Sequence, residues 1–234
     1  MRPRSVVAAF LLLTAIAGLV ALGVWQLERR AWKLDLIARV DARLAADPVA
    51  APGPTRWASL STEGDAYTRV RATGRFLHDR EVTVLAVTDR GSGYWVLTPL
   101  ETADFFVLVN RGFVPQDRRD PAARPEGQVP GLVTVTGLLR PTEPGGGFLR
   151  TNDPEGGRWY SRDVAAIAAA EGLRGPVSPY FIDADSRANP GGLPIGGLTV
   201  VHFRNAHLSY ALTWFALAAL LAVLALRAAR HRQP

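Results

Sequence analysis

Apolar positions along this chain follow two different rhythms. At each end lies a long run without a charged residue: residues 6–25 (VVAAFLLLTAIAGLVALGVW) and residues 208–226 (LSYALTWFALAALLAVLAL). At a helical rise of about 1.5 Å per residue, either run reaches across a hydrocarbon core of about 30 Å. Between them the pattern changes to short segments in which apolar and polar residues alternate, as in half-buried strands. Strands are expected over 67–76, 81–88, 94–100, 105–110, 132–140 and 180–182, with Gly131-Leu-Val-Thr-Val-Thr-Gly-Leu-Leu-Arg140 the clearest. Two helices are expected besides: one continuing from the first apolar run through Gln26 to about Leu44, the other over 162–171, capped by Ser161 and ended by Gly172.

All but two of the 17 prolines fall within residues 28–206, so the middle is rich in turns. Gly91-Ser92-Gly93 reads as a hairpin turn, and Asn189-Pro-Gly-Gly-Leu-Pro-Ile-Gly-Gly197 as a flexible approach to the second apolar run. The fold class that follows is a membrane protein of α+β type, with N- and C-terminal transmembrane helices flanking a β-rich extramembrane domain. Its segments are a tail at 1–5, a span at 6–27, the domain at 28–206, a second span at 207–226 and a tail at 227–234.

The first run is longer than the apolar core of a secretory signal, and no clear small-x-small cleavage site follows it, so it reads as an uncleaved signal-anchor. Arg2 and Arg4 in one tail and Arg227, Arg230 and Arg232 in the other place both termini in the cytoplasm. Arg29, Arg30 and Lys33 argue the other way, but a long translocated segment largely escapes the rule. The expectation is a cell (inner) membrane protein with a periplasmic domain.

The net charge of +6 does not point to nucleic acid, because the arginines are scattered or flank the spans. Cysteine is absent and Met1 is the single methionine, which removes thiol chemistry and the soft sulfur ligands of a copper chaperone. No phosphate loop, nucleophile elbow or His-Glu-x-x-His motif is present. Four dispersed histidines without cysteine make a poor zinc set. Asp183 and Asp185 read as residues of a strand end.

One polar cluster lies at membrane depth. His207 stands at the start of the second span and shares a helical stripe with Tyr210, Ala211 and Trp214. Such a residue can be an interfacial anchor, or it can be functional, since imidazole suits iron and a proximal histidine is a common haem ligand. His202 does not serve as a second ligand from the same helix, because the two would face about 140° apart. On the first span Trp25, Arg29 and Trp32 form a matching stripe. It reads either as an aromatic belt with a snorkelling arginine or as a place where Arg29 or Arg30 meets an anionic group such as a haem propionate.

Three segments carry a family resemblance. Leu22-Gly-Val-Trp-Gln-Leu-Glu-Arg-Arg-Ala-Trp-Lys33 is similar to the end of the first span in the Surf1/Shy1 family. Val109-Asn-Arg-Gly-Phe-Val-Pro115 resembles its central motif, and Asn205-Ala-His-Leu-Ser-Tyr-Ala-Leu-Thr-Trp-Phe215 its C-terminal signature. The resemblance implies an assembly factor for cytochrome c oxidase and related haem–copper oxidases, and not an enzyme. It implies haem a binding, with His207 on iron and Trp214 further along the stripe, and insertion into the oxidase catalytic subunit. Partners would be that subunit, the bilayer and the enzymes that make haem a. The alternative is a haem-independent docking scaffold or chaperone for the nascent subunit. Of the central motif, Arg111, Gly112 and Pro115 are expected to be structural: a strand end, a turn glycine and a rigid stop. Phe113 stands where the family more often has Trp.

Overall fold

The computed structural model describes residues 3–201 and 203–230. Arg2, His202, His231 and Arg232 lie outside the described residues. Among the described residues are four α-helices: α1 (Pro3–Ala45), α2 (Thr62–Asp65), α3 (Val164–Ala170) and α4 (His207–Arg230). The strands are β1 (Val49–Ala50), β2 (Arg69–Phe76), β3 (Val82–Thr88), β4 (Gly91–Glu101), β5 (Phe106–Pro115), β6 (Leu132–Pro141) and β7 (Val177–Ala184). Residues 42–200 form one compact unit; the terminal segments form another.

Helices α1 and α4 are each long and apolar enough to cross a membrane. Helix α1 runs on past Trp25 because residues 26–45 contain neither glycine nor proline, and an Asp35–Arg39 pair at i, i+4 supports the exposed side. It stops just before Pro48, whose ring disfavours helical geometry in the residue before it.

The middle unit is a sheet that closes on itself. Strand order is β1-β2-β6-β7-β5-β4-β3, and β4 also pairs with β2 through Arg75–Glu101 and Phe76–Leu100. The result is a ring of five strands, β2-β6-β7-β5-β4, with β3 added as a hairpin arm and β1 as a short parallel edge. Closure removes free edges from the ring itself. Strands β5 and β7 are parallel neighbours buried on both faces, so their side chains alternate between two cores. Val107, Val109, Tyr180 and Ile182 face one cluster with Val70, Ala72, Leu100 and Leu139. Leu108 and Phe181 face the other, where α3 packs Val164 and Ile167 over Val82, Val84 and Leu97. Tyr180 donates its hydroxyl to the Pro52 carbonyl at 2.7 Å, and burial raises its pKa well above the ordinary tyrosine range.

The strand does not end at Arg111 with a turn at Gly112, as the sequence suggested; β5 continues through both to Pro115. Val96 pairs with Gly112 and Leu97 with Asn110, so Arg111 is the extra residue of a β-bulge. Gly112 has φ of 131°, and a Cβ there would lie 2.1 Å from the Ile195 carbonyl oxygen. Phe113 is buried edge-on against Trp95, which fits the aromatic expected there. Pro115 is the last strand residue, in keeping with a rigid stop.

Three further expectations change. Gly91-Ser92-Gly93 belongs to β4 and pairs with Ala86, Val87 and Thr88; the turn lies at Asp89–Arg90. The cap of α3 is Asp163, which accepts from the Ala166 amide at 3.1 Å, whereas Ser161 Oγ accepts from Gly146 N and Asn152 Nδ2. Residues 189–197 are not a free spacer. Ile195 exchanges two backbone hydrogen bonds of 2.9 Å with Phe113, and the Gly197 amide donates to Ala184.

Replacing Gly112 with alanine would force both strain and a backbone clash. A Gly112→Ala variant should lose about 2 kcal/mol or more of stability, read as a lower thermal transition by circular dichroism; an unchanged transition would show that the bulge relaxes.

Candidate functional site

Within the terminal unit, the packed face of α1 carries Gly23, Gln26, Arg30 and Lys33, spaced as one helical stripe. Gly23 is buried, and a Cβ there would come within 2.5 Å of the Phe215 ring of α4. That missing side chain lets the helices approach closely, as small residues do in membrane packing. Just beyond it, His207 Nδ1 is 2.7 Å from Gln26 Oε1. Lys33 Nζ lies 4.9 Å from the centre of the Phe203 ring. On α4 the packed face follows His207, Ala211, Trp214 and Ala218, of which the two alanines are buried.

The expected cluster is therefore only partly brought together. His207 and Trp214 lie on the packed face; Tyr210 lies on an exposed flank, at 57% exposure. The Trp25–Arg29–Trp32 stripe is real but points away from α4, and Arg29 stacks on Trp32 at 4.5 Å. Arg30, half-buried, sits one turn beyond Gln26 on the packed face. Gln26 was not among the expected site residues. The signal was present as a lone amide at the end of an apolar run, where an unsatisfied polar group is costly.

When Nδ1–H donates to Gln26 Oε1, the lone pair lies on Nε2, and no hydrogen bond engages Nε2 among the described residues. A histidine held through one nitrogen and open at the other is the usual form of a metal-ligating imidazole. The residues present thus fit a single axial ligand to haem iron. No cluster of three metal-ligating side chains occurs among the described residues.

In the middle unit the charged residues form two networks. Asp183, 3% exposed, accepts from Asn110 Nδ2 at 2.7 Å, Arg140 Nη1 at 2.8 Å, Thr199 Oγ1 at 2.9 Å and Arg162 Nη1 at 3.3 Å. Arg162 also grips Glu143 through two bonds, at 2.9 and 2.6 Å. Burial works against the charge of Arg162, but the Glu143 bonds and the nearby Asp183 outweigh it and raise its pKa. Two arginines meet two carboxylates, and the network is balanced.

The second network is not. Glu81, Arg111 and Arg124 have side chains 1–2% exposed. Arg124 takes Glu81 through both Nη atoms and also donates to the carbonyls of Arg118 and Arg119. Thr98 Oγ1 adds a bond to Glu81 Oε2 at 3.2 Å. Arg111 lies 3.8 Å from the same carboxylate, stacks over Phe76 at 4.8 Å, and gives Nη2 to the Gly127 carbonyl and Asn189 Oδ1. Two cations share one anion. Burial, with Arg124 adding to it, lowers the Arg111 pKa to about 10 despite the pull of Glu81, so the group remains charged at neutral pH. Glu81 and Arg124 carry no sequence signal of this, because both look like ordinary surface residues of a turn-rich segment.

Comparison with known proteins adds the family. A model described as the SURF1 family matches residues 13–219. Surfeit locus protein 1 of Rattus norvegicus is 38% identical over 230 residues, which cover 91% of this chain and 72% of the relative. The Homo sapiens protein of that name is 37% identical over 216 residues, covering 85% and 69%. The SURF1-like protein of Monosiga brevicollis is 38% identical over 214 residues, covering 85% and 78%.

Removing the one carboxylate of the unbalanced network would leave two buried guanidinium groups facing each other. Glu81→Gln should cost about 3–5 kcal/mol of stability, and adding Arg111→Met to it should restore part of the loss. Thermal unfolding of the single and double variants checks both; a Glu81→Gln protein as stable as the parent would mean that water reaches the cluster.

Proposed function

The chain belongs to the SURF1 family, and on that premise we propose that it is a membrane-bound assembly factor for a haem–copper oxidase. In this reading it binds haem a beside its two spans and passes it to the catalytic subunit. The observation that carries the proposal is the His207–Gln26 contact, which holds the imidazole with Nε2 open. An apolar surface of α1 and α4 would take the macrocycle. Arg30, on the same face as Gln26, is better placed than Arg29 to meet a propionate, with Lys33 one turn further. Trp214, two turns along from His207, would border the ring.

Both termini would be cytoplasmic and the β-rich unit periplasmic, as the arginine-rich tails favour. The oxidase catalytic subunit would be met through the spans or the β-rich unit, and the enzymes that make haem a would supply the cargo. No catalytic step is assigned. One protein ligand on iron makes for modest affinity, as suits a carrier that must release what it binds.

The test is to purify the detergent-solubilised chain from cells that make haem a and to record reduced-minus-oxidised spectra with haem quantified per protein. The parent should carry haem. His207→Ala should lose most of it, and Gln26→Ala should weaken binding by about 10-fold or more, as loss of an orienting partner does. Full occupancy in His207→Ala would move the ligand elsewhere. Absence of haem from a well-folded parent would favour the docking scaffold.

A further inference from the structure

Beside the core of the β-rich unit lies a cavity of about 310 Å³, at the small end of the ~300–1,000 Å³ typical of ligand pockets. One side is apolar, with Phe76, Val109, Val133, Val135 and Ala184, and Arg111, Arg187 and Asn189 also line it. These apolar residues belong to the barrel cluster or pack on it, so the cavity continues the interior of the ring. Arg111 is nearly inaccessible, yet its Nε and Nη1 atoms have no hydrogen-bond partner among the described residues. Glu81 does not fill that need, since its oxygens already receive Arg124 and Thr98, and Arg111 only approaches it at 3.8 Å.

An excess buried cation with unused donors, at the wall of a largely apolar cavity, is costly in the empty protein. A ligand bringing one negative charge and an apolar body would complete it. Asp185 and Arg187, which also line the cavity, offset one another and leave Arg111 as the excess charge. Phosphate, strongly hydrated and multiply charged, suits these walls poorly. We propose that this cavity binds a small apolar monocarboxylate, its carboxylate on Arg111 and its chain along Val109, Val133 and Val135. The site is separate from the haem-handling face and stands whether or not that reading does.

The test uses the full chain in a non-ionic maltoside micelle, titrated calorimetrically with sodium hexanoate, with hexanol and with inorganic phosphate. Hexanoate should bind saturably, one per chain, and hexanol at least about 10-fold more weakly, as expected for loss of a charged hydrogen bond. Arg111→Met should weaken hexanoate by a similar factor while unfolding no earlier than the parent, because it removes the excess charge and leaves Glu81 with Arg124. Val133→Trp, which narrows the cavity without touching that network, should weaken hexanoate too. Absence of saturable binding overturns the proposal. So does binding undiminished in a folded Arg111→Met or, should that variant not fold, in Val133→Trp. Phosphate bound as tightly as hexanoate overturns the ligand class.

Discussion

Glu81 holds a guanidinium group in a space closed to water, and the segment after β5 is organised around that contact. The carboxylate enters just before β3, and Arg124 reaches it from the short 3-10 turns that follow β5. The same guanidinium collects the carbonyls of Arg118 and Arg119, which docks residues 116–127 onto the sheet. Buried ion pairs contribute little net stability against a well-packed apolar alternative, but they tolerate few alternative geometries. Here the pair fixes where a proline-rich loop lies, and hydrophobic packing, which is indifferent to direction, would not do that alone.

The bulge in β5 adds the second cation to this arrangement. Because Arg111 is the unmatched residue between Asn110 and Gly112, its side chain leaves the regular alternation of the strand. It comes within 3.8 Å of the carboxylate that Arg124 already holds. Gly112 is required at that point since its backbone carries φ of 131° and passes against the Ile195 carbonyl. The 189–197 segment is thereby tied to β5 by the exchange between Phe113 and Ile195. One irregular residue thus links the charge network, the cavity wall and the chain that leads to α4.

Strands and spans were legible in the sequence because each has a period that survives without tertiary information. The alternation at Val82, Val84 and Ala86 located β3, and the uncharged end runs located α1 and α4. Sequence reading ended β5 at Asn110, because Arg111 and Gly112 look like the close of a strand when the bulge that absorbs them is not visible. Ser161 and Asp163 are equally good caps by residue type, and only the pull of Gly146 and Asn152 on Ser161 decides between them. Of the candidate site, His207 was legible because an ionisable group at membrane depth is rare. Gln26 was missed because its partner lies 181 positions away, and a lone amide at the end of an apolar run does not say what it meets. Glu81 and Arg124, 43 positions apart, were missed for the same reason.

The two spans show how packing selects among residues that look equivalent on a helical wheel. Trp25, Arg29 and Trp32 make the more conspicuous stripe on α1, but bulky side chains keep another helix away. Gly23 leaves room for the Phe215 ring, and the helices meet there. That meeting point decides which polar groups face each other one turn later, and they are Gln26 and His207. An amide is suited to this role. It fixes the imidazole by hydrogen bonding without adding a charge, whereas a carboxylate there would cost more to bury. The amide therefore orients the ring through one nitrogen and leaves the other without a hydrogen bond among the described residues.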